Sequence, residues 1–363
     1  MPRAGFWKGR RVFITGHTGF KGSWLCLWLH RLGADVTGYA LDPPTRPSLF
    51  ELAGVGNLAH SIHGDVRDAA RLKRCLRAAR AEVVIHMAAQ PLVRESYKRP
   101  LETFAVNVLG TAHLLEAMRH TASVRAAVIV TTDKCYEDRH ASRGYRENEP
   151  LGGYDPYSSS KACSELVTSA YRNSFFNPVE YGKTHRTAVA SARAGNVIGG
   201  GDWARDRLLP DAMRALLGRR EIRIRHPRDV RAWQHVLEPL SGYLALAEKL
   251  YTPGAAFAEA WNFGPRTRDA KSVQWMATLA CSLWGDAAAF RIEPGSHPHE
   301  TEVLKLDSSK ARKRLGWAPR WPVHRAVEKT VDWYRAYGHK DDLRALCLEQ
   351  IKAYEATPLL GNR

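Results

Sequence analysis

The chain has 363 residues, 44% of them hydrophobic, enough to bury a core for one large fold with a second lobe. Its 54 lysines and arginines outnumber 37 aspartates and glutamates, a formal charge of +17, but they are mostly dispersed, which disfavours nucleic acid and suits a small anionic substrate. No apolar run is long enough to span a bilayer, and the six cysteines (Cys26, Cys75, Cys135, Cys163, Cys281, Cys347) stand far apart with no C-x-x-C, so neither a membrane span, a disulfide framework nor a metal site is expected.

The first residues lead straight into a strand without the apolar stretch of a secretory signal, so a cytoplasmic location is expected. Arg11-Val12-Phe13-Ile14-Thr15 reads as that strand, Gly16-His17-Thr18-Gly19-Phe20-Lys21-Gly22 as a glycine turn, and residues 23–32 as a helix. In this context the turn predicts dinucleotide binding: Gly16 and Gly19 let the backbone approach a pyrophosphate at the helix N-terminus, and Gly22 lets helix and strand pack closely. His17 and Phe20 belong to the same expected contact. A second strand over residues 36–41 ends before Asp42, about twenty residues beyond the last glycine, where a carboxylate receives ribose hydroxyls. That points to NAD, while Arg46 leaves NADP open. Asp65 and Val66 follow a third strand and are expected at the adenine.

Val83-Val84-Ile85-His86 is a fourth strand. The small Ala88 and Ala89 beyond it permit close approach of a flat ligand. Residues 103–119 carry apolar side chains at helical spacing, with Asn107 in a structural role. The strand Ala126-Ala127-Val128-Ile129-Val130 delivers Thr132, Asp133 and Lys134 at its C-terminal end, where ligands bind in open α/β sheets. Tyr157 and Lys161 then stand four apart at the start of a helix, on one face. A phenol with an ordinary pKa near ~10 acts as a base at neutral pH only if a cation favours its anion, and Lys161 is the candidate cation. Further on, the densest basic run, residues 219–228, lacks interleaved aromatic residues.

Together, Gly16/Gly19/Gly22, Thr132-Asp133-Lys134 and Tyr157/Lys161 resemble the extended short-chain dehydrogenase/reductase family. More narrowly, Gly16-His-Thr-Gly-Phe-Lys-Gly-Ser-Trp24, Thr131-Thr-Asp-Lys-Cys-Tyr136, Gly152-Gly-Tyr-Asp-Pro-Tyr-Ser158, Ala194-Gly-Asn-Val-Ile-Gly-Gly-Gly-Asp-Trp203 and Trp233-Gln-His-Val-Leu-Glu-Pro239 resemble its 4,6-dehydratase branch that acts on CDP-glucose, over residues 6–354. Residues 140–143 depart from that branch's usual aromatic-rich loop.

The resemblance implies an α/β, Rossmann-type doubly wound parallel sheet with a smaller C-terminal substrate-binding lobe. Residues 1–194 would bind NAD, the chain returning to that domain at about 230–265, and residues 195–229 plus 266–355 would form the nucleotide-sugar lobe. It also implies roles. Tyr157, as tyrosinate held by Lys161, takes the proton of the sugar 4-hydroxyl; Thr132 hydrogen-bonds the same oxygen; Asp133 protonates the departing 6-hydroxyl; Lys134 takes the C5 proton. Gln90, Asn196, Arg207 and Arg231 would contact the substrate. Helices over residues 103–119 and 158–173 pairing across a two-fold, as in relatives, would give a homodimer or a dimer of dimers. An NAD-dependent epimerase, which needs no elimination pair, and a non-catalytic Rossmann protein are the rival readings.

Overall fold

The computed structural model describes residues 1–139, 143–252, 254–285, 288–293 and 303–359, so residues 140–142 of the divergent loop lie outside the described residues. The strands are β1 (Arg11–Thr15), β2 (Asp35–Ala40), β3 (His60–His63), β4 (Val83–His86), β5 (Ala126–Val130), β6 (Ala188–Ala194), β7 (Asn196–Ile198), β8 (Ile222–Ile224), β9 (Val230–His235), β10 (Ala260–Phe263), β11 (Ala270–Ser272), β12 (Phe290–Ile292) and β13 (Val303–Leu304). Seven of them form one sheet in the order β10-β6-β5-β4-β1-β2-β3. Every pairing in it is parallel, so each connection must cross over, and helices cover both faces.

The period of two along each strand divides the core. Val12 and Ile14 of β1, Val83 and Ile85 of β4, and Val128 of β5 face one layer with Trp24, Leu25 and Trp28 of the Phe20–Arg31 helix. Phe13, Val84, Ala127 and Ile129 face the other, against Leu114, Leu115 and Met118 of the Gly110–Arg119 helix. The strand order reverses between β1 and β4, and this opens a crevice at the strands' C-terminal ends, bounded by the glycine turn, the end of β4 and the end of β5.

The smaller sheet pairs β9 with β11, β13 and β7, and a separate parallel pair joins β8 to β12. The return to the large sheet differs from expectation at one end. Val230–His235 stays in the smaller sheet, because its backbone is committed to β7, β11 and β13. The return is made by the Leu237–Tyr251 helix, which packs on β5 and β6, and by β10, which pairs β6. The last helix, Leu343–Ala356, rests on the Phe20–Arg31 helix, where the Trp28 Nε1 donates to Glu355 at 2.9 Å.

One buried pair holds the Pro156–Ser174 helix to the centre of the sheet. The Glu165 carboxylate accepts from Thr131 Oγ1 (2.5 Å), Ser191 Oγ (2.6 Å) and Arg193 Nη2 (2.9 Å). Both charged residues are only 3% exposed, and the Arg193 guanidinium also stacks on Tyr136, 4.8 Å from its centroid. Removing one partner leaves the other charge buried and uncompensated. Glu165→Ala should therefore lower the unfolding free energy by about 3–5 kcal/mol, read as a fall in the denaturant midpoint. A midpoint unchanged from that of the parent chain would contradict this reading of the pair.

Candidate active site

The glycine turn fits a dinucleotide by its shape. A Cβ on Gly16 would stand 2.7 Å from the backbone N of Ala88, and one on Gly22 would stand 2.2 Å from the Gly16 carbonyl oxygen, so packing alone demands both glycines. Gly19 is different. Its Cβ would meet only the Gly16 oxygen at 3.4 Å, so the missing side chain leaves the backbone bare toward the crevice. Gly19 donates its own N–H to the Gly16 carbonyl at 3.2 Å and is the N-cap of the Phe20–Arg31 helix, with no side chain capping it and no acid in the first turn, so the N–H groups of that first turn are available to a diphosphate. Thr18 Oγ1 donates to the Leu41 carbonyl at 2.9 Å and ties the turn to the end of β2, next to Asp42. The Asp42 carboxylate is solvent-facing, 3.6 Å from His63 Nε2.

Not every residue of the expected set turns its side chain toward the crevice. The His17 ring is fully buried behind the turn. It meets Ser61 Oγ at 2.7 Å and fills the space over Gly38, so only its backbone faces a ligand, and burial pulls its pKa down to about 4. Phe20 packs toward Gly199. Both oxygens of Asp65 are engaged by Arg67, through its backbone N (2.8 Å) and its guanidinium, which holds the carboxyl below its ordinary range. Val66 is buried against the Gly110 position. The Gln90 amide serves its own loop: it donates to Leu92 O (3.1 Å) and Thr103 Oγ1 (2.9 Å) and accepts from Leu92 N (2.6 Å). Asn107 brackets the same residue, accepting from Gln90 N and donating to Gln90 O, and reaches Ser160 Oγ at 2.8 Å. The loop carrying Ala88 and Ala89 is thereby fastened to the Tyr157 helix.

That helix starts where its sequence demands. Asp155 caps the Ser158 N–H at 2.9 Å and Pro156 takes the first turn, which puts Tyr157 at the mouth and Lys161 one turn deeper. Lys161 is 3% exposed and donates from Nζ to the Val130 carbonyl at 2.9 Å. Burial brings its pKa down to about 8, opposed by Glu165 and Cys135. Tyr157 departs from expectation. Burial pushes its phenol up to about 12; the Thr132 hydroxyl and Arg207 pull it down, while Asp133 and Asp155 push it up. The protein alone thus holds Tyr157 as a neutral phenol, and the cation that faces it most strongly is Arg207.

Thr132 Oγ1 donates to Asp133 Oδ1 at 3.0 Å and accepts from Lys134 N at 3.3 Å. Asp133 is 4% exposed, and burial raises its pKa against the opposing pull of Lys134, Thr132 and Arg231. Its other oxygen lies against Gly195, where a Cβ would come within 2.6 Å. Gly195 is therefore a site residue that spacing did not single out; the glycine between a buried strand and Asn196 was its only signal. Asn196 opens β7 opposite Trp233. Arg207 meets Asp202 at 3.1 Å, and Arg231, 7% exposed, meets Asp229 at 3.0 Å. Between Arg94 of the large domain and Arg225, the residue after β8, stands Asp206, 3.2 Å from each. Arg231 acts on Asp133 through space, and Arg207 and Asp133 act on Tyr157, so these four groups are neighbours.

Residues 13–330 match the family model described as GDP-mannose 4,6 dehydratase. A Salmonella typhimurium protein named CDP-glucose 4,6-dehydratase is 53% identical over 349 residues, covering 96% of this chain and 97% of the relative. A Streptomyces antibioticus dTDP-glucose 4,6-dehydratase is 30% identical, covering 89% and 92%. Among solved structures, a double mutant of a Streptomyces venezuelae dTDP-glucose 4,6-dehydratase with NAD bound superposes with a TM-score of 0.76 at 25% identity, covering 92% of this chain and 99% of the other. A Thermotoga maritima UDP-glucose 4-epimerase gives 0.77 at 21% identity, a likeness of fold.

The raised phenol gives a spectroscopic prediction. In protein stripped of bound nucleotides, the difference between the parent chain and Tyr157→Phe should show no phenolate absorbance below about pH 10, since the group lies up at about 12. Phenolate appearing near neutrality would mean that Lys161 suffices by itself.

Proposed function

The chain belongs to the GDP-mannose 4,6-dehydratase family of extended short-chain dehydrogenases/reductases, and from that premise we propose that it converts CDP-glucose to CDP-4-keto-6-deoxyglucose with loss of one water. The enzyme is a hydro-lyase that uses NAD. One observation carries the reading beyond the fold: a buried carboxyl, Asp133, held toward its protonated form within hydrogen-bond reach of Thr132 and beside Tyr157. An epimerase has no work for such an acid. An elimination does.

Bound NAD supplies the hydride acceptor for the first step and the hydride donor for the last. The chain's own residues move the protons. Tyr157 first gives up its phenolic proton to solvent and then, as the anion that Lys161 and Arg207 favour, receives the 4-hydroxyl proton, with Thr132 holding the same oxygen. The resulting ketone acidifies C5–H, and Lys134 is the proposed base there. Asp133, whose carboxyl burial pushes toward its protonated form, is the proposed acid that gives a proton to the leaving 6-hydroxyl, which departs as water. Lys134 then returns its proton to C5. Arg207 and Arg231 hold the substrate diphosphate, whose oxygens match guanidinium forks better than the single carboxylates they now meet. Asn196 is assigned to the sugar-phosphate side, and Gln90 to shaping the loop above it. Asp42 and Asp65, with Val66, Ala88 and Ala89, are assigned to the cofactor.

We also infer a homodimer. Leu101, Leu109 and Leu166 are exposed on the neighbouring helical segments of residues 100–119 and 156–174, an apolar face that a second copy would cover. The free cysteines suit a reducing compartment, so cytoplasm is the proposed location. No helix among the described residues is long and apolar enough to cross a membrane.

Incubation with NAD and, separately, CDP-, dTDP- and UDP-glucose, read by mass, should show water loss with the cytidine sugar foremost. Asp133→Asn should slow product formation by about 10²- to 10⁴-fold and stall at the 4-keto stage. No water loss from any sugar, with NAD bound, would overturn the assignment, and C4 inversion instead would make it an epimerase. Leu166→Glu should convert a dimer to single chains by light scattering; a parent chain already of single-chain mass would end the dimer inference.

A further inference from the structure

Asp206 has no place in the scheme above, yet it joins the two lobes beside the crevice. Its Oδ1 accepts from Arg94 Nη1 and from Arg225 Nη1, each at 3.2 Å. Arg94 belongs to the short helix Val93–Lys98, two residues before Ser96, whose Oγ accepts from the Tyr157 backbone N at 3.1 Å. Arg225 follows β8 of the smaller lobe, and Asp206 itself directly precedes Arg207. The triad therefore stands beside the start of the Tyr157 helix. Asp206 is exposed, whereas Thr132, Asp133 and Lys161 are buried, so it lies toward the rim. A sugar held at Tyr157 and Thr132, with its diphosphate on Arg207, sends its nucleoside outward to that rim.

Most of the hydrogen-bonding capacity of this triad is unspent. Among the described residues Asp206 Oδ2 accepts no hydrogen bond, and each of the two guanidinium groups donates one bond, to Oδ1, out of the five it can make. What the rim offers a ligand is thus an acceptor flanked by donors. Cytosine carries the complement along one edge, an N4 amino donor beside the N3 and O2 acceptors, whereas uracil and thymine put an O4 acceptor and an N3–H donor in the first two places. A carboxylate attracts the amino group and repels O4, and such repulsion is what separates similar ligands. It repels a phosphate as well, so the triad suits the uncharged base and leaves the diphosphate to Arg207 and Arg231.

We propose that Asp206, held between Arg94 and Arg225, is the residue that selects cytosine, its Oδ2 accepting from the N4 amino group while the guanidinium groups donate to N3 and O2. The two arginines fix the carboxylate from opposite lobes and offset its charge, so it meets the base without being drawn elsewhere. The inference rests on the nucleotide-sugar reading above and supplies its base preference, but it is tested on nucleotides alone, without turnover.

The test is calorimetric titration of the NAD-loaded protein with CDP, UDP and dTDP. The parent chain should bind CDP most tightly. Asp206 has a φ of +61°, which suits glycine, so Asp206→Gly removes the carboxylate without straining the turn. It should weaken CDP by about 10- to 100-fold and leave UDP and dTDP unchanged or tighter, which erases the preference. Should Asp206→Gly not fold, Asp206→Asn keeps the bulk, and its amide can donate to O4, so it narrows the same ratio. A merely structural bridge between the lobes would, on removal, weaken all three nucleotides alike. That result, a CDP preference retained in the variants, or a parent chain that binds the three equally would each overturn the proposal, even if CDP-glucose loses water. A preference that the variants erase, with no water loss from any sugar, would instead overturn the dehydratase reading.

Discussion

The site depends on one buried anchor, the Glu165 carboxylate that binds Thr131, Ser191 and Arg193 at once. Thr131 precedes Thr132 and Asp133, Ser191 and Arg193 belong to β6, and Glu165 lies one helical turn beyond Lys161. A single charge therefore sets the spacing between the phenol–lysine helix and the acid at the end of β5. The adjoining Asn107 network fixes the remaining wall by joining Gln90 to Ser160. With both in place, Tyr157, Thr132 and Asp133 have little freedom left, which is what proton transfer over hydrogen-bond distances requires.

The second constraint is dryness. Burial pushes Tyr157 and Asp133 up and Lys161, Lys21 and His86 down, so it favours the neutral form of each of these five groups. His86, between Thr15 (2.6 Å) and Thr111 (3.2 Å), is thus a neutral hydrogen-bonding strut. Arginines cannot discharge, and Arg207 and Arg231 accordingly lean on Asp202 and Asp229. Such a site is poised for anionic ligands. Their arrival changes the charge that Tyr157 and Asp133 feel more than any movement of the chain need do.

Much of this was legible before any coordinates. The glycine turn between an apolar strand and a helix, the fully apolar β5 followed by Thr132-Asp133-Lys134, and Asp155-Pro156 opening a helix that carries Tyr157 and Lys161 are local patterns, and local patterns survive folding. What stayed hidden was long-range. Lys21 meets Tyr243, 222 residues away, and Asp133 rests on Gly195, a pairing that no spacing announces. His17 and Gln90 sit inside motif segments, yet their side chains are turned to Ser61 and to Leu92 and Thr103, because a tight loop must satisfy its own polar groups before it can serve a ligand. Four-residue spacing fixes the proximity of Lys161 to Tyr157 but not the cost of burying the phenol, which pushes its pKa up to about 12.

The central claim is that one crevice takes hydride from C4 and gives it back at C6 without releasing the sugar. The most direct test mixes CDP-glucose deuterated at C4 with unlabelled CDP-glucose and reads the product by mass and NMR. The account predicts deuterium in the C6 methyl group of those product molecules that began labelled, with no crossover to the others. Deuterium scattered among all product molecules, or lost to solvent, would contradict it.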